Sequence, residues 1–249
     1  MLDPRFFARP IAHRGYHDQA RGRVENSRAA FGAAIAHGYG IELDLQLSAD
    51  GEAVVFHDYD LARLTDLRGP VRQRPMDNLR SIRLSGSDDV IASLPEVLAQ
   101  VAGRVPLLIE LKDQDGAMGA DVGALEAAVA DALKGYDGPA ALMSFNPHSV
   151  RTLASLAPDV PRGLVTCAFE AEDWPTLPTE TRALLKDIPD YDRVGACFIS
   201  HDARDLDAPR VATLKADGAK VLCWTIRSPE AEAIARRIAD NVTFEGYVA

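Results

Sequence analysis

At 249 residues, 47% of them hydrophobic, the chain is long for an average domain, normal for one α/β barrel, and has apolar sequence enough for a sizeable core. A net charge of −10 with no basic stripe excludes nucleic acid as a partner, and an anionic substrate needs a local cation to reverse the sign of the field. No apolar stretch approaches the roughly 20 residues of a membrane span. Residues 1–7 lack the long apolar centre of a secretory signal, so a cytoplasmic location is the expectation. The three cysteines, Cys167, Cys197 and Cys223, have no CxxC spacing and read as buried free thiols.

The predicted elements alternate along the chain. Apolar runs at 10–13, 41–45, 105–111, 140–145, 162–167, 196–200, 220–225 and 242–244 read as eight strands. Most are continuously apolar, as expected of parallel strands covered on both faces. After the first, Ser27 can cap a helix whose Ala30, Phe31, Ala34 and Ile35 share a face and which Gly38 can close. Residues 54–57 form a ninth run, and the intervening Asp50-Gly51 signals a hairpin. A four-residue loop at 49–52 sets Asp44 opposite His57. Residues 59–92, polar and rich in Arg and Asp, read as a lid or small insertion. Ser93-Leu94-Pro95-Glu96 has capping-box spacing, Asp121 opens an Ala-rich helix ending near Lys134-Gly135, and Ser228-Pro229 starts one over 230–238. The pattern predicts a single domain over 1–249, a TIM-type (β/α)8 barrel with a β-hairpin and small insertion after the second strand. The alternative, a doubly wound open sheet, lacks a Gly-rich dinucleotide loop after the first strand.

Polar groups stand at or near the ends of these apolar runs: His13-Arg14, Glu42 and Asp44, His57-Asp58, Glu110 and Lys112. Desolvating such groups is costly unless they are paired or bind a metal, so their recurrence points to one site. Glu42 and Asp44, two apart on a strand, point the same way. With Glu110 they offer three oxygen ligands, suited to Mg²⁺ or Ca²⁺. The competing reading pairs Glu42 and Asp44 with Arg14 and Lys112 and has no metal. Two histidines on one group can serve as general base and acid, and Arg14 and Lys112 can hold a phosphate. The expected ligand is a small-molecule phosphate ester.

In order, His13-Arg14-Gly15, Val24-Glu25-Asn26-Ser27, Glu42-Leu43-Asp44, Val54-Val55-Phe56-His57-Asp58 and Glu110-Leu111-Lys112 resemble the glycerophosphodiester phosphodiesterase family, densely over 11–65 and at isolated anchors beyond. Arg63-Leu64-Thr65 and Trp224-Thr225 also match. The resemblance implies a TIM barrel with Glu42, Asp44 and Glu110 as ligands of a divalent cation and His13 and His57 as acid and base. It also implies that Arg14 and Lys112 hold the phosphate, and it favours a place for Trp224 in the pocket. The implied reaction releases glycerol 3-phosphate and an alcohol through a cyclic phosphate. Two departures stand out: Val24 replaces the usual proline, and Thr243-Phe244-Glu245-Gly246 replaces a T-D-x-P ending, which leaves open whether Glu245 lines the site.

His17, His37, His148 and His201 carry no spacing that demands a role, and Asn146 reads mainly as a helix cap. Alternative functions are lysophospholipase D-like or cyclising lyase action at the same site, a phosphate-binding barrel without turnover, and unrelated metal-dependent chemistry such as aldol cleavage. Oligomeric state has no sequence code here.

Overall fold

The computed structural model describes residues 1–249. Strands β1 (Ile11–Ala12) and β2 (Gly40–Leu47) flank helix α1 (Arg28–His37), and the hairpin strand β3 (Ala53–Val55) follows β2. A short helix α2 (Met76–Leu79) leads to β4 (Ala92–Ser93), α3 (Leu94–Val101), β5 (Leu107–Leu111), α4 (Ala124–Ala132), β6 (Ala140–Ser144) and α5 (Pro147–Leu156). Then come β7 (Arg162–Thr166), α6 (Thr179–Lys186), β8 (Phe198–Asp202), α7 (Pro209–Ala216), β9 (Lys220–Ile226), α8 (Pro229–Ala235) and β10 (Asn241–Phe244). Eight strands, β1, β2 and β5 through β10, pair in parallel, and β1 contacts both β10 and β2, so the sheet closes as the predicted TIM barrel.

Strand alternation explains why the runs are apolar throughout. On β5, Leu107, Ile109 and Leu111 face the helices in the main core, Leu108 packs inside the barrel, and Glu110 stands above Leu108 at the strand's C-terminal end. The inner apolar layer joins Leu108 to Ile11, Phe198 and Leu222, and Phe6 of an N-terminal 3₁₀ turn plugs it from below. Burying each such side chain contributes roughly 1.5–3 kcal/mol. Gly163 on β7 is required here, because a Cβ would lie 2.5 Å from the Phe198 ring.

The helix ends follow their sequence signals. Ser27 Oγ accepts from Ala30 N at 3.1 Å, Gly38 closes α1 at φ +70°, and Ser93 with Glu96 forms the capping box of α3. Helix α4 is a correction: it starts at Ala124 rather than Asp121, with the Glu126 carboxylate accepting from Gly123 N at 2.6 Å. Helix α8 ends at Ala235, short of the expected 238.

The hairpin also differs by one residue. Its loop is 48–52, closed by Ser48 N donating to Glu52 O at 2.9 Å, so Leu45 pairs with Val55 and Asp44 lies opposite Phe56 rather than His57. A one-residue shift would reverse the facing of a residue within the ladder, but His57 lies beyond the end of β3 and turns to the barrel mouth independently. Segment 59–92 carries 3₁₀ turns at Leu61–Arg63 and Val71–Gln73 and helix α2, and it returns as β4 antiparallel to β3. It has an apolar core of its own, in which Phe56, Leu61, Val71, Met76, Leu79 and Ile91 are buried beside Val24. No helix is long and apolar enough to cross a membrane.

Candidate active site

A cavity of about 710 Å³ opens at the C-terminal ends of the strands. His13, Arg14, Glu42, Asp44, His57, Glu110, Lys112 and Trp224 all line it, so the eight residues singled out from the sequence share one chamber. Barrel geometry causes the convergence: every strand delivers the side chain at its C-terminal end to the same rim.

Glu42 and Asp44 share the inner face of β2, and Asp44 lies directly across from Glu110 on β5. The three are buried, with one carboxylate oxygen from each lying within 4.8 Å of the others. Lys112 Nζ bridges Asp44 at 2.8 Å and Glu110 at 2.6 Å, and Arg14 Nε lies 3.4 Å from Asp44. Of the cation pairing expected without a metal, the Asp44 half is formed, and Lys112 takes Glu110 as its second partner. The pairing does not serve Glu42, whose side chain accepts only from the Arg14 backbone N–H at 2.9 Å. Burial, reinforced by Asp44 and Glu110, pushes the Glu42 carboxyl well above its ordinary range. Burial alone would raise Asp44 too, but Lys112, His57 and Arg14 together hold it well below that range. The same pairings outweigh burial and raise the Lys112 ammonium. Ionising Glu42 here therefore needs a further positive charge beside it, and the all-oxygen donor set of the three carboxyls fits Mg²⁺ or Ca²⁺.

His13 and His57 each have a carboxylate on Nδ1. His57 Nδ1 is 2.6 Å from Asp58 Oδ1, and Arg63 donates to both Asp58 oxygens. Arg63 also donates to both oxygens of Glu25, which in turn accepts from Arg14 Nη1 at 2.7 Å. His13 Nδ1 is 2.5 Å from Glu245 Oε2. The loop after β1 is tightly shaped: Arg14 is left-handed at φ 52°, and Gly15 stands at φ +79° where a Cβ would meet the Phe31 ring at 2.9 Å. Only glycine fits there. Asn26, also left-handed, reaches back to donate to Asp44 at 2.8 Å.

The opposite wall is apolar, built from Met118, Met143, Phe145, Val165, Cys167, Trp174 and Trp224. Phe145 meets Trp174 and Trp224 edge-on with centroids 4.9 and 5.7 Å apart, and Trp224 Nε1 donates to Ser200 O at 2.9 Å, which fixes the indole.

The family model for the glycerophosphoryl diester phosphodiesterase family matches residues 13–243. The chain belongs to that family. Glycerophosphodiester phosphodiesterases are phosphoric diester hydrolases. Among relatives, a glycerophosphodiester phosphodiesterase of Caldanaerobacter subterraneus is 30% identical over 175 residues, 66% of this chain and 69% of that protein. An uncharacterised Bacillus subtilis protein is 33% identical over 170 residues, 63% of this chain and 65% of its own length. Among solved structures, an Oleispira antarctica phosphodiesterase in complex with sn-glycerol 3-phosphate superposes with a TM-score of 0.77, at 25% identity, covering 96% of this chain and 93% of that one. A glycerophosphodiester phosphodiesterase of Agrobacterium tumefaciens shares the fold with a TM-score of 0.70 at 22% identity, covering 95% of each chain.

Within this glycerophosphodiester phosphodiesterase barrel several residues fall outside the cavity. His148 bonds Arg151 on α5, and His201 is buried between Thr166 and Asp205. Asn146 caps α5 as expected and also donates to Asp113, a cavity residue, at 2.7 Å. Sequence reasoning missed Asp113, Trp174 and Phe145 as wall residues and left Glu245 open. A signal for Glu245 was present: a carboxylate directly follows the last apolar strand, much as Glu110 stands at the C-terminal end of β5.

Proposed function

We propose that the chain hydrolyses glycerophosphodiesters to glycerol 3-phosphate and an alcohol. The observation that carries this reading is the chamber in which two histidines, each held by a carboxylate at Nδ1, flank a three-carboxylate cluster beside Arg14 and Lys112. His13 and His57 form the acid–base pair, Arg14 and Lys112 hold the phosphate, and Trp224 walls the pocket. Glu42, Asp44 and Glu110 would hold Mg²⁺ or Ca²⁺, which when bound supplies positive charge to the phosphoryl oxygens. One imidazole takes the proton of the glycerol 2-hydroxyl as its oxygen bonds to phosphorus. The bond from phosphorus to the leaving alcohol breaks, and the other histidine, protonated beforehand, gives that oxygen its proton. The roles then reverse. The histidine that acted as acid takes a proton from water as the water oxygen attacks phosphorus. The first returns its proton to the glycerol 2-oxygen, which opens the cyclic phosphate.

Release of glycerol 3-phosphate from glycerophosphocholine tests this, first with EDTA and then with Mg²⁺ or Ca²⁺ restored. Release is expected only with the metal; no release with either metal overturns the reading.

The apolar wall favours a second reading, in which the same site acts on a lysophospholipid whose acyl chain lies along Met118, Phe145 and Trp174. A higher kcat/KM for lysophosphatidylcholine than for glycerophosphocholine would select it, and the reverse ranking would discard it.

A further inference from the structure

We propose that Glu245 is the positioning residue for His13, fixing the tautomer and orientation of its imidazole, and that it acts through the ring and not on the substrate. The inference rests on the acid–base role proposed above for His13. A neutral imidazole has one N–H and one lone pair, and the partner at one nitrogen decides which nitrogen carries which. Here Glu245 Oε2 stands 2.5 Å from Nδ1, where an ionised carboxylate can only accept. The hydrogen is thereby held on Nδ1. Nε2, which has no hydrogen bond within the chain, is the nitrogen left for the cavity that His13 lines. Glu245 is absent from the cavity wall, so it stands behind the ring.

The carboxylate is itself held from several sides. Arg227 Nε donates to Oε1 at 2.8 Å, His17 Nε2 lies 3.4 Å from Oε2, and Glu245 N donates to Ile226 O at 2.9 Å. The barrel seam brings the two residues together: His13 N donates to Phe244 O at 2.9 Å, directly beyond the β1–β10 pairing. Closure of the barrel thus sets His13 beside the residue that follows β10. The arrangement parallels Asp58 on His57, with a partner from the opposite end of the chain. When Nε2 takes the proton of an attacking hydroxyl, whose electron pair goes to phosphorus, Nδ1–H stays in place and the imidazolium faces a fixed negative charge.

Glu245→Gln is the decisive variant. Arg227 donates to Oε1, so the amide oxygen keeps that partner and the NH2 turns toward His13. A donor then faces Nδ1, and the proton moves to Nε2. With glycerophosphocholine as substrate, kcat should fall by about 10²-fold or more, the direction taken when the orienting carboxylate of a hydrolase triad becomes an amide, while KM stays within about threefold. Glu245→Asp should recover part of the loss. In a His13→Ala background Glu245→Gln should cost nothing further, because coupled residues are not additive. Imidazole ¹⁵N NMR of neutral His13, assigned by its loss in His13→Ala, should show Nδ1–H in the wild type and Nε2–H in Glu245→Gln. A kcat within threefold of wild type, an additive loss in the double variant, or an unchanged His13 tautomer would each overturn the proposal. If the wild type turns over no glycerophosphodiester, the functional reading fails separately, and the tautomer measurement still decides whether Glu245 sets His13.

Discussion

The two histidines of the cavity face the same chamber with the same chemistry at Nδ1, yet they obtain it by opposite routes. Asp58 is the next residue after His57, and its second partner, Arg63, sits five residues on in the adjoining 3₁₀ turn. Glu245 lies 232 residues from His13 and reaches it only because β1 and β10 close the barrel. The local pair is written into a short motif and supported by the insertion's own apolar core. The distant pair depends on every strand between the seam's two edges taking its place. Equivalent chemistry therefore carries unequal dependence on tertiary structure.

The comparison can be broken first at the rings themselves. His13→Ala and His57→Ala should each lower turnover by at least about 10²-fold, with an unchanged circular dichroism spectrum. Near-normal kcat in either variant removes that residue from the proposed pair.

A smaller effect should come from the local carboxylate. Asp58→Asn keeps the shape but not the charge, and with the His57 ring still present turnover should fall by about 10–100-fold, less than the loss of the ring itself. Arg63 remains tied to Glu25 in this variant, so the insertion should stay docked. A loss confined to KM would show that Asp58 serves binding rather than orientation of His57.

The smallest effect is on stability against acid. Both carboxylates are held well below their ordinary range. His57 and Arg63 overcome burial at Asp58, while His13 and His17 lead at Glu245. Burial pushes His13 the other way, down, with Glu245 opposing. For a carboxylate whose folded pKa is depressed, the stabilisation is full above its unfolded pKa of about 4 and is lost as pH falls toward the folded one. Melting temperature should therefore drop below about pH 4, and Asp58→Asn should flatten that limb. Each kcal/mol corresponds to about 2–4 °C in a chain of this size. An acid limb identical in wild type and variant would show that the Asp58 ion pairs add no stability.

Much of the site was legible because its residues lie in short runs that fold locally. His13-Arg14-Gly15, Glu42-Leu43-Asp44, His57-Asp58 and Glu110-Leu111-Lys112 each deliver polar groups to the barrel mouth, and alternation alone aims Glu42 and Asp44 together. Less legible was segment 59–92, whose scattered apolar residues have no period yet meet in a second small core. Val24 joins that core, so the departure from proline there acquires a packing role. The hairpin register was off by one because turn residues mark a loop without fixing its length.

Sequence by itself determined the eight barrel strands, the caps of α1 and α3 and the chemical inventory near the strand ends, because periodicity, caps and dyad alternation are local physics. Only the closed barrel decided that Glu245 meets His13 and that Phe145, Trp174 and Trp224 share a wall. Such contacts depend on how strands tilt and stagger as the sheet closes, a property of the whole set of pairings that no single segment encodes.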